Sequence, residues 1–138
     1  METRLKLVKE HGESEKITIN LGFVDLGRVD LLVHEGFYAN RTDFIRTAIR
    51  NQLTSQSKEV SQSIEHHTLE LGLRDFNAAD LERARAAGET LHIKIVGLAR
   101  IGSDVTPELA VATIASLTVL GALQASPEVK AALQGRIR

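Results

Sequence analysis

The chain has no cysteine and no tryptophan, and only two of its 138 residues are proline. The absence of cysteine excludes disulfide bonds and cysteine-ligated zinc as sources of stability. No run of about 18 apolar residues is present, so no transmembrane helix is expected, and no secretory signal pattern is seen. We therefore expect a cytoplasmic protein that is stabilised by apolar packing.

The chain also lacks an excess of either charge, since 17 Lys and Arg stand against 18 Asp and Glu. A neutral chain can still bind nucleic acid, because affinity depends on where cations cluster and how many phosphates they neutralise. Signatures of catalysis are missing too: there is no phosphate-cradling glycine loop, no Ser/His/Asp arrangement and no recognisable carboxylate pair. We expect neither an enzyme nor a cofactor.

A short alternating segment stands out in the first third of the chain. Residues 1–15 are expected to form a flexible arm, whose cations could contact a DNA groove. The next residues, KITINL at 16–21, alternate apolar and polar side chains, which predicts a half-buried strand. Its apolar face carries Ile17, Ile19 and Leu21, and its polar face carries Lys16, Thr18 and Asn20.

Two helices are predicted after this strand. Asp25 is the expected N-cap of the first helix and Gly36 its C-terminal stop, while Gly27 in the first turn predicts a late or frayed start. Asn40 is the expected N-cap of the second helix, with Asp43 three residues later. The second helix carries an apolar stripe of Phe44, Ile45, Ala48, Ile49 and Leu53.

One strand followed by two helices cannot satisfy its own backbone hydrogen bonds or bury its apolar faces. The strand needs a partner strand. The economical solution is the same segment of a second chain, paired about a two-fold axis. The pattern at 16–53 therefore predicts a homodimer.

The segment GFYANRTDFIRTAIR, Gly36 to Arg50, resembles the second-helix signature of the ribbon-helix-helix family of MetJ/Arc/CopG-type DNA-binding regulators. The resemblance covers residues 16–53 and is greatest for CopG-like members. It implies an intertwined dimer that inserts an antiparallel β-ribbon in the major groove of double-stranded DNA. A sequence-specific transcriptional regulator, most simply a repressor, is the implied function.

The same resemblance assigns two sets of DNA contacts. The ribbon residues Lys16, Thr18 and Asn20 would read base edges, for which ammonium, hydroxyl and amide groups are suited. Asn40, Arg41 and Thr42 would bind a phosphate at the start of the second helix, where free N–H groups and the helix dipole favour an anion. For Arg46 and Arg50 we favour pairing with acids such as Asp43 and Asp30 over phosphate binding.

The second half of the chain contains a weak internal repeat. Residues 54–67 are polar and predict either a linker or an extension of the second helix. Beyond them, two segments align through Gly97 and Gly121, and an earlier copy aligns at Gly72. Each copy is interpreted as a strand, a glycine, a short turn and a helix, whose expected N-caps are Asn77, Thr106 and Ser126. The chain is therefore expected to be α+β: the ribbon-helix-helix, then a solenoid-like βα-repeat domain at 68–138 with about three parallel strands and three helices.

The repeat domain leaves several roles open. It could drive a second dimer contact, a tetramer or open-ended polymerisation, or receive a signal, while Leu133 and Ile137 could instead cover its end. One alternative function is a self-associating scaffold. An antitoxin is a third, disfavoured because residues 68–138 are too rich in apolar residues for a disordered tail. Metal sensing through His66, His67 and His92 is not favoured, because adjacent histidines on a strand point apart.

Overall fold

The computed structural model describes residues 14–138, so the flexible arm predicted at 1–15 lies almost entirely outside the described residues. The described chain is a mixed α+β protein with six α-helices and one three-stranded parallel sheet. It divides into two units, residues 14–63 and residues 64–138. In the described range, no helix has the length and apolarity needed to span a bilayer.

The first helix, α1, spans Phe23–His34 and begins earlier than predicted. Its N-cap is Gly22 in an extended conformation, and Asp25 lies in the first turn, so the assignment of Asp25 as N-cap was wrong. Glycine is tolerated at the N-cap, and a carboxylate in the first turn interacts favourably with the helix dipole. The late start that Gly27 suggested is therefore not observed.

The end of α1 agrees with the sequence. Gly36 has φ +86°, the left-handed conformation in which glycine carries no steric penalty. The Phe37 N–H donates to the Leu32 carbonyl, and the Gly36 N–H donates to the Val33 carbonyl, both at 3.0 Å. This hydrogen-bond pair is a Schellman motif, and it confirms Gly36 as the stop.

Two consecutive helices follow. Helix α2 spans Arg41–Ser55 and helix α3 spans Ser57–His66, with Gln56 as the single residue between them. The Val60 N–H donates to the Gln56 carbonyl at 3.0 Å, so the backbone resumes helical hydrogen bonding at once. Of the two alternatives for residues 54–67, the structure shows helix rather than an irregular linker.

The repeat region forms a regular βα array. Its three strands are parallel and adjacent in chain order, which confirms the predicted three strands and three helices. A short 3₁₀-helix, Gln134–Arg136, ends it. The elements in order are β1 Glu70–Phe76, α4 Ala78–Ala86, β2 Leu91–Ile101, α5 Pro107–Thr113, β3 Ile114–Gln124 and α6 Pro127–Ala132.

Each array helix begins at the cap that the sequence indicates. The side-chain oxygens of Asn77, Thr106 and Ser126 accept hydrogen bonds from backbone N–H groups three residues later. Proline occupies the first helical position of α5 and α6, where its missing N–H costs nothing. Local sequence therefore specifies where these helices start.

Gly72, Gly97 and Gly121 lie side by side across the sheet, as the repeat alignment predicted. They are not turn residues, however: β1, β2 and β3 all continue past their glycine, so the strand-glycine-turn interpretation was wrong. Their φ values of +133°, +138° and +123° belong to a region that only glycine adopts readily. A Cβ on Gly97 would lie 2.1 Å from the Gly72 carbonyl oxygen, so the strands pair closely only without side chains here.

The core of the array lies between the sheet and its three helices. On β2 the buried side chains alternate along the strand: Ile93, Ile95, Ala99 and Ile101. They form one cluster with fully buried residues of the helices and of the C-terminal turn, including Leu81, Val129 and Leu133. The helices therefore cover one face of the sheet.

The C-terminal residues cover part of the β3 edge. Ile137 forms a parallel bridge with Leu117, and the Arg138 N–H donates to the Leu117 carbonyl at 2.9 Å. Arg136 donates to the carbonyls of Val111 and Ile114 at 2.6 and 2.7 Å. Leu133 and Ile137 therefore cover this end of the array at the start of β3, which was one of the predicted alternatives.

Candidate nucleic-acid interface

Residues 14–63 have almost no hydrophobic core. Val29 is the one fully buried apolar residue of this unit. Phe23 is 92% exposed and Ile19 is 56% exposed, and many other large apolar side chains are similarly open. The exposed set in this unit is Ile17, Ile19, Leu21, Phe23, Val24, Leu31, Phe37, Ile49, Leu53 and Val60. A unit of this size needs a partner to bury that surface.

The predicted ribbon segment, residues 16–21, has the alternating sequence of a strand but pairs with no strand of the described chain. Residues 14–22 form neither helix nor strand, and Lys16, Thr18 and Asn20 are exposed, as are the apolar residues between them. A strand is defined by hydrogen bonds to a neighbouring strand, and the predicted neighbour belongs to a second chain. The ribbon therefore stays a prediction.

The start of α2 is fixed by two side-chain hydrogen bonds. The Asn40 Oδ1 accepts from the Asp43 N–H at 2.8 Å, which confirms Asn40 as the N-cap. The Asp43 carboxylate accepts from the Ala39 N–H at 2.9 Å. The ring of Tyr38 meets that of Phe44 edge-to-face at 5.0 Å, which further anchors the turn before the helix. The predicted phosphate-binding segment is thus rigidly positioned.

Arg41 forms a bidentate ion pair that the sequence did not indicate. Its Nε and Nη2 donate to the two carboxylate oxygens of Asp30 at 2.7 and 2.8 Å, joining α2 to α1. The hydrogen bond from Arg41, and its charge as a smaller contribution, hold the pKa of Asp30 below the ordinary value. The partners lie 11 residues apart on different helices, beyond the spacings at which helical pairs are recognised from sequence.

Arg46 and Arg50 are not paired as expected. Asp30 is taken by Arg41, and Asp43 accepts from the backbone, so neither acid bonds Arg46 or Arg50. Both arginines are exposed on α2. Within residues 14–63 these two guanidinium groups are therefore available to an anionic partner, together with Lys16 and Lys58.

His66, His67 and His92 do not assemble a metal site in the described part of the chain. His66 ends α3 and His67 follows it, with ring centroids 4.8 Å apart in an edge-to-face contact, so the idea that they point apart on a strand was wrong. His92 lies on β2, where its Nδ1 is 2.8 Å from the Ser116 Oγ. Across residues 14–138, no group of three or more His, Cys, Asp or Glu side chains could hold a metal ion.

Comparison with protein families decides the relationship. The model of the ribbon-helix-helix transcriptional regulator family matches residues 12–130. The chain belongs to this family. The match extends well past the 16–53 segment that carries the resemblance in sequence, and includes the βα array as far as α6. No curated protein and no solved structure matches the chain.

Proposed function

We propose that this ribbon-helix-helix regulator is a homodimer that binds double-stranded DNA sequence-specifically through an antiparallel ribbon of residues 16–21. The observation that carries the proposal is the unburied apolar surface of residues 14–63 in a chain of this family. A two-fold dimer pairs the two ribbon segments, satisfies their backbone groups and buries Ile17, Ile19 and Leu21.

The polar face of the ribbon supplies the chemistry for base reading. Lys16, Thr18 and Asn20 alternate with the apolar residues, so burial of one face leaves these three together on the other. Lysine can donate to guanine O6 and N7, asparagine can pair with adenine N6 and N7, and threonine can contact either polar edges or a thymine methyl. Each side chain occurs twice in the dimer.

The start of α2 is proposed to hold a DNA phosphate. The first N–H groups of a helix have no partner within the helix, and Arg41 and Thr42 occupy those positions. The side chain of Asn40 is used as the cap and that of Arg41 in the pair with Asp30. Their contribution is therefore mainly to fix the backbone, and the exposed Thr42 hydroxyl is free to join the phosphate contact.

A dimer that occupies the major groove at a promoter would compete with the transcription machinery, and repression is the proposed mode of action. The βα array is proposed to mediate self-association of the regulator or to receive a signal. The family match across the array supports a role for it in the regulator.

Replacement of base-reading side chains tests the assignment. Lys16→Ala and Asn20→Ala are each expected to lower the preference for a specific site over random DNA by about tenfold or more, because a good base contact discriminates by about 1–3 kcal/mol. Gel-shift titration at fixed salt measures the preference, and size-exclusion chromatography should show an intact dimer.

Arg28→Ala is the matched control, since Arg28 is an exposed cation on α1 outside the ribbon. It should leave the specificity ratio unchanged. Equal specificity in the Lys16→Ala, Asn20→Ala and unmodified proteins would rule out base reading by this face.

A further inference from the structure

The sheet of the array has an apolar face that its helices do not cover, here named the outer face. The helices cover the face formed by the buried residues of β2, such as Ile93, Ile95 and Ala99. Because side chains alternate along a strand, the residues between them point the other way. The apolar members of the outer face are Leu71, Leu73, Val96, Leu98, Leu120 and Ala122.

Strand register places these six side chains in two rows that cross the sheet. One row is Leu71, Val96 and Leu120, and the next is Leu73, Leu98 and Ala122. Leu71 is 71% exposed, Leu120 is 58% exposed and Leu73 is 44% exposed. None of the six belongs to the buried core cluster. Purely parallel sheets almost always have both faces covered, so an open apolar face on such a sheet indicates that another surface packs against it.

Polar residues border the two apolar rows at both strand ends. His92, Lys94, Ser116 and Thr118 lie before them, and Asp75, Arg100 and Gln124 lie after them. An apolar centre with a polar rim is the anatomy of a protein interface. A standard interface buries about 800 Å² per partner, a little over half of it non-polar.

We propose that the outer face stacks against the outer face of a second copy of this chain, with the strands of the two sheets antiparallel about a two-fold axis. The inference rests on the proposed function, in which residues 14–63 already hold two chains together. Only residues 67–69 separate α3 from β1, so each array is tethered closely to its dimerised unit. Short tethers raise the local concentration of the second array into the millimolar range.

Charge at the rim fits an antiparallel stack of identical faces. Lys94 is exposed and forms no ion pair within residues 14–138. At the opposite end of the face, Asp75 is exposed and holds Arg100 only at 3.8 Å. An antiparallel two-fold stack brings the Lys94 end of one sheet over the end of the other that carries the Asp75–Arg100 pair, whereas a parallel stack would set Lys94 against Lys94.

Cross-linking in the full chain tests the stack. Because the chain has no native cysteine, only the introduced thiols can be linked. Val96→Cys places a thiol at the centre of the outer face, and a short bismaleimide should link two copies efficiently. Val111→Cys, on the exposed side of α5, is the matched control and should link far less. Adding Leu71→Lys and Leu120→Lys to Val96→Cys should lower the linked fraction by about tenfold or more, because central apolar residues dominate interface affinity.

Cross-linking of Val96→Cys no greater than that of Val111→Cys, or linking that the two lysine substitutions do not change, would overturn the proposal.

DNA binding separates failure of the stack from failure of the proposed function. With an incorrect stack, Val96→Cys would bind a single DNA site normally without cross-linking at the outer face. With an incorrect DNA-binding assignment, Val96→Cys would still cross-link, while Lys16→Ala would leave specificity unchanged.

Discussion

Replacing Ile19 with glutamate is expected to convert the proposed dimer to monomer and to abolish DNA binding in the same step. Ile19 is the middle apolar residue of the proposed ribbon and is 56% exposed in the single chain. In a two-fold ribbon both copies of the glutamate would enter one apolar interface, and burying an unpaired charge costs several kcal/mol. Dimer affinity should fall by at least about 100-fold, measured by sedimentation equilibrium, with loss of the gel shift.

Thr18→Glu is the matched control for Ile19→Glu, because it places the same charge on the opposite face of the same strand. It should remain a dimer while losing DNA affinity, since the new carboxylates face the phosphates and bases. If Ile19→Glu remained as dimeric as the unmodified protein when Leu71→Lys and Leu120→Lys also removed the outer-face contact, the ribbon would not be the dimer contact.

Replacing Gly97 with alanine is expected to destabilise the array by about 3 kcal/mol or more. Part of the loss is backbone strain at φ +138°, worth about 1–3 kcal/mol. The remainder comes from the new Cβ, which would lie 2.1 Å from the Gly72 carbonyl oxygen and force β1 away from β2. Urea unfolding followed by far-UV circular dichroism measures the change in the free energy of unfolding.

Gly72→Ala separates the two causes. Gly72 has nearly the same φ, +133°, but a Cβ there would have no atom of the described chain within 4 Å. This variant should show only the strain, and so a smaller decrease in stability than Gly97→Ala. Equal decreases would show that the close approach of β1 and β2 contributes nothing.

The parts of the fold that local chemistry controls could be predicted from sequence. Asn40, Asn77, Thr106 and Ser126 cap helices because their side chains reach N–H groups three residues on. The repeat spacing also predicted that Gly72, Gly97 and Gly121 lie in register across the sheet, as they do. What the repeat could not reveal was that the strands run through these glycines, because a glycine marks a turn and a close strand approach equally well.

Contacts between separate elements could not be predicted from the sequence. Asp30 and Arg41 meet only because α1 and α2 fold against each other, so the acid assigned to Arg46 and Arg50 was taken by a different arginine. Strand β2 is apolar on both faces, since Val96 and Leu98 interleave with Ile93, Ile95 and Ala99. Periodicity therefore could not say which face the helices would cover and which would stay open.

The proposed ribbon is the part of the candidate site that would depend on a second chain. The alternation determines which residues share a face. The exposure of Ile17, Ile19 and Leu21 agrees with a face that a second chain would bury. Base reading by Lys16, Thr18 and Asn20 rests on family resemblance together with side-chain chemistry.

Site selection from random DNA, followed by major-groove substitution, tests the central claim most directly. The full chain, at defined salt, should enrich a short two-fold symmetric sequence. Replacing guanine and adenine in that sequence by their 7-deaza analogues removes N7 from the major groove and should weaken binding by about tenfold or more for each N7 that a ribbon side chain reads. Enrichment of no sequence, or full affinity for the 7-deaza site, would contradict a ribbon that reads bases in the major groove.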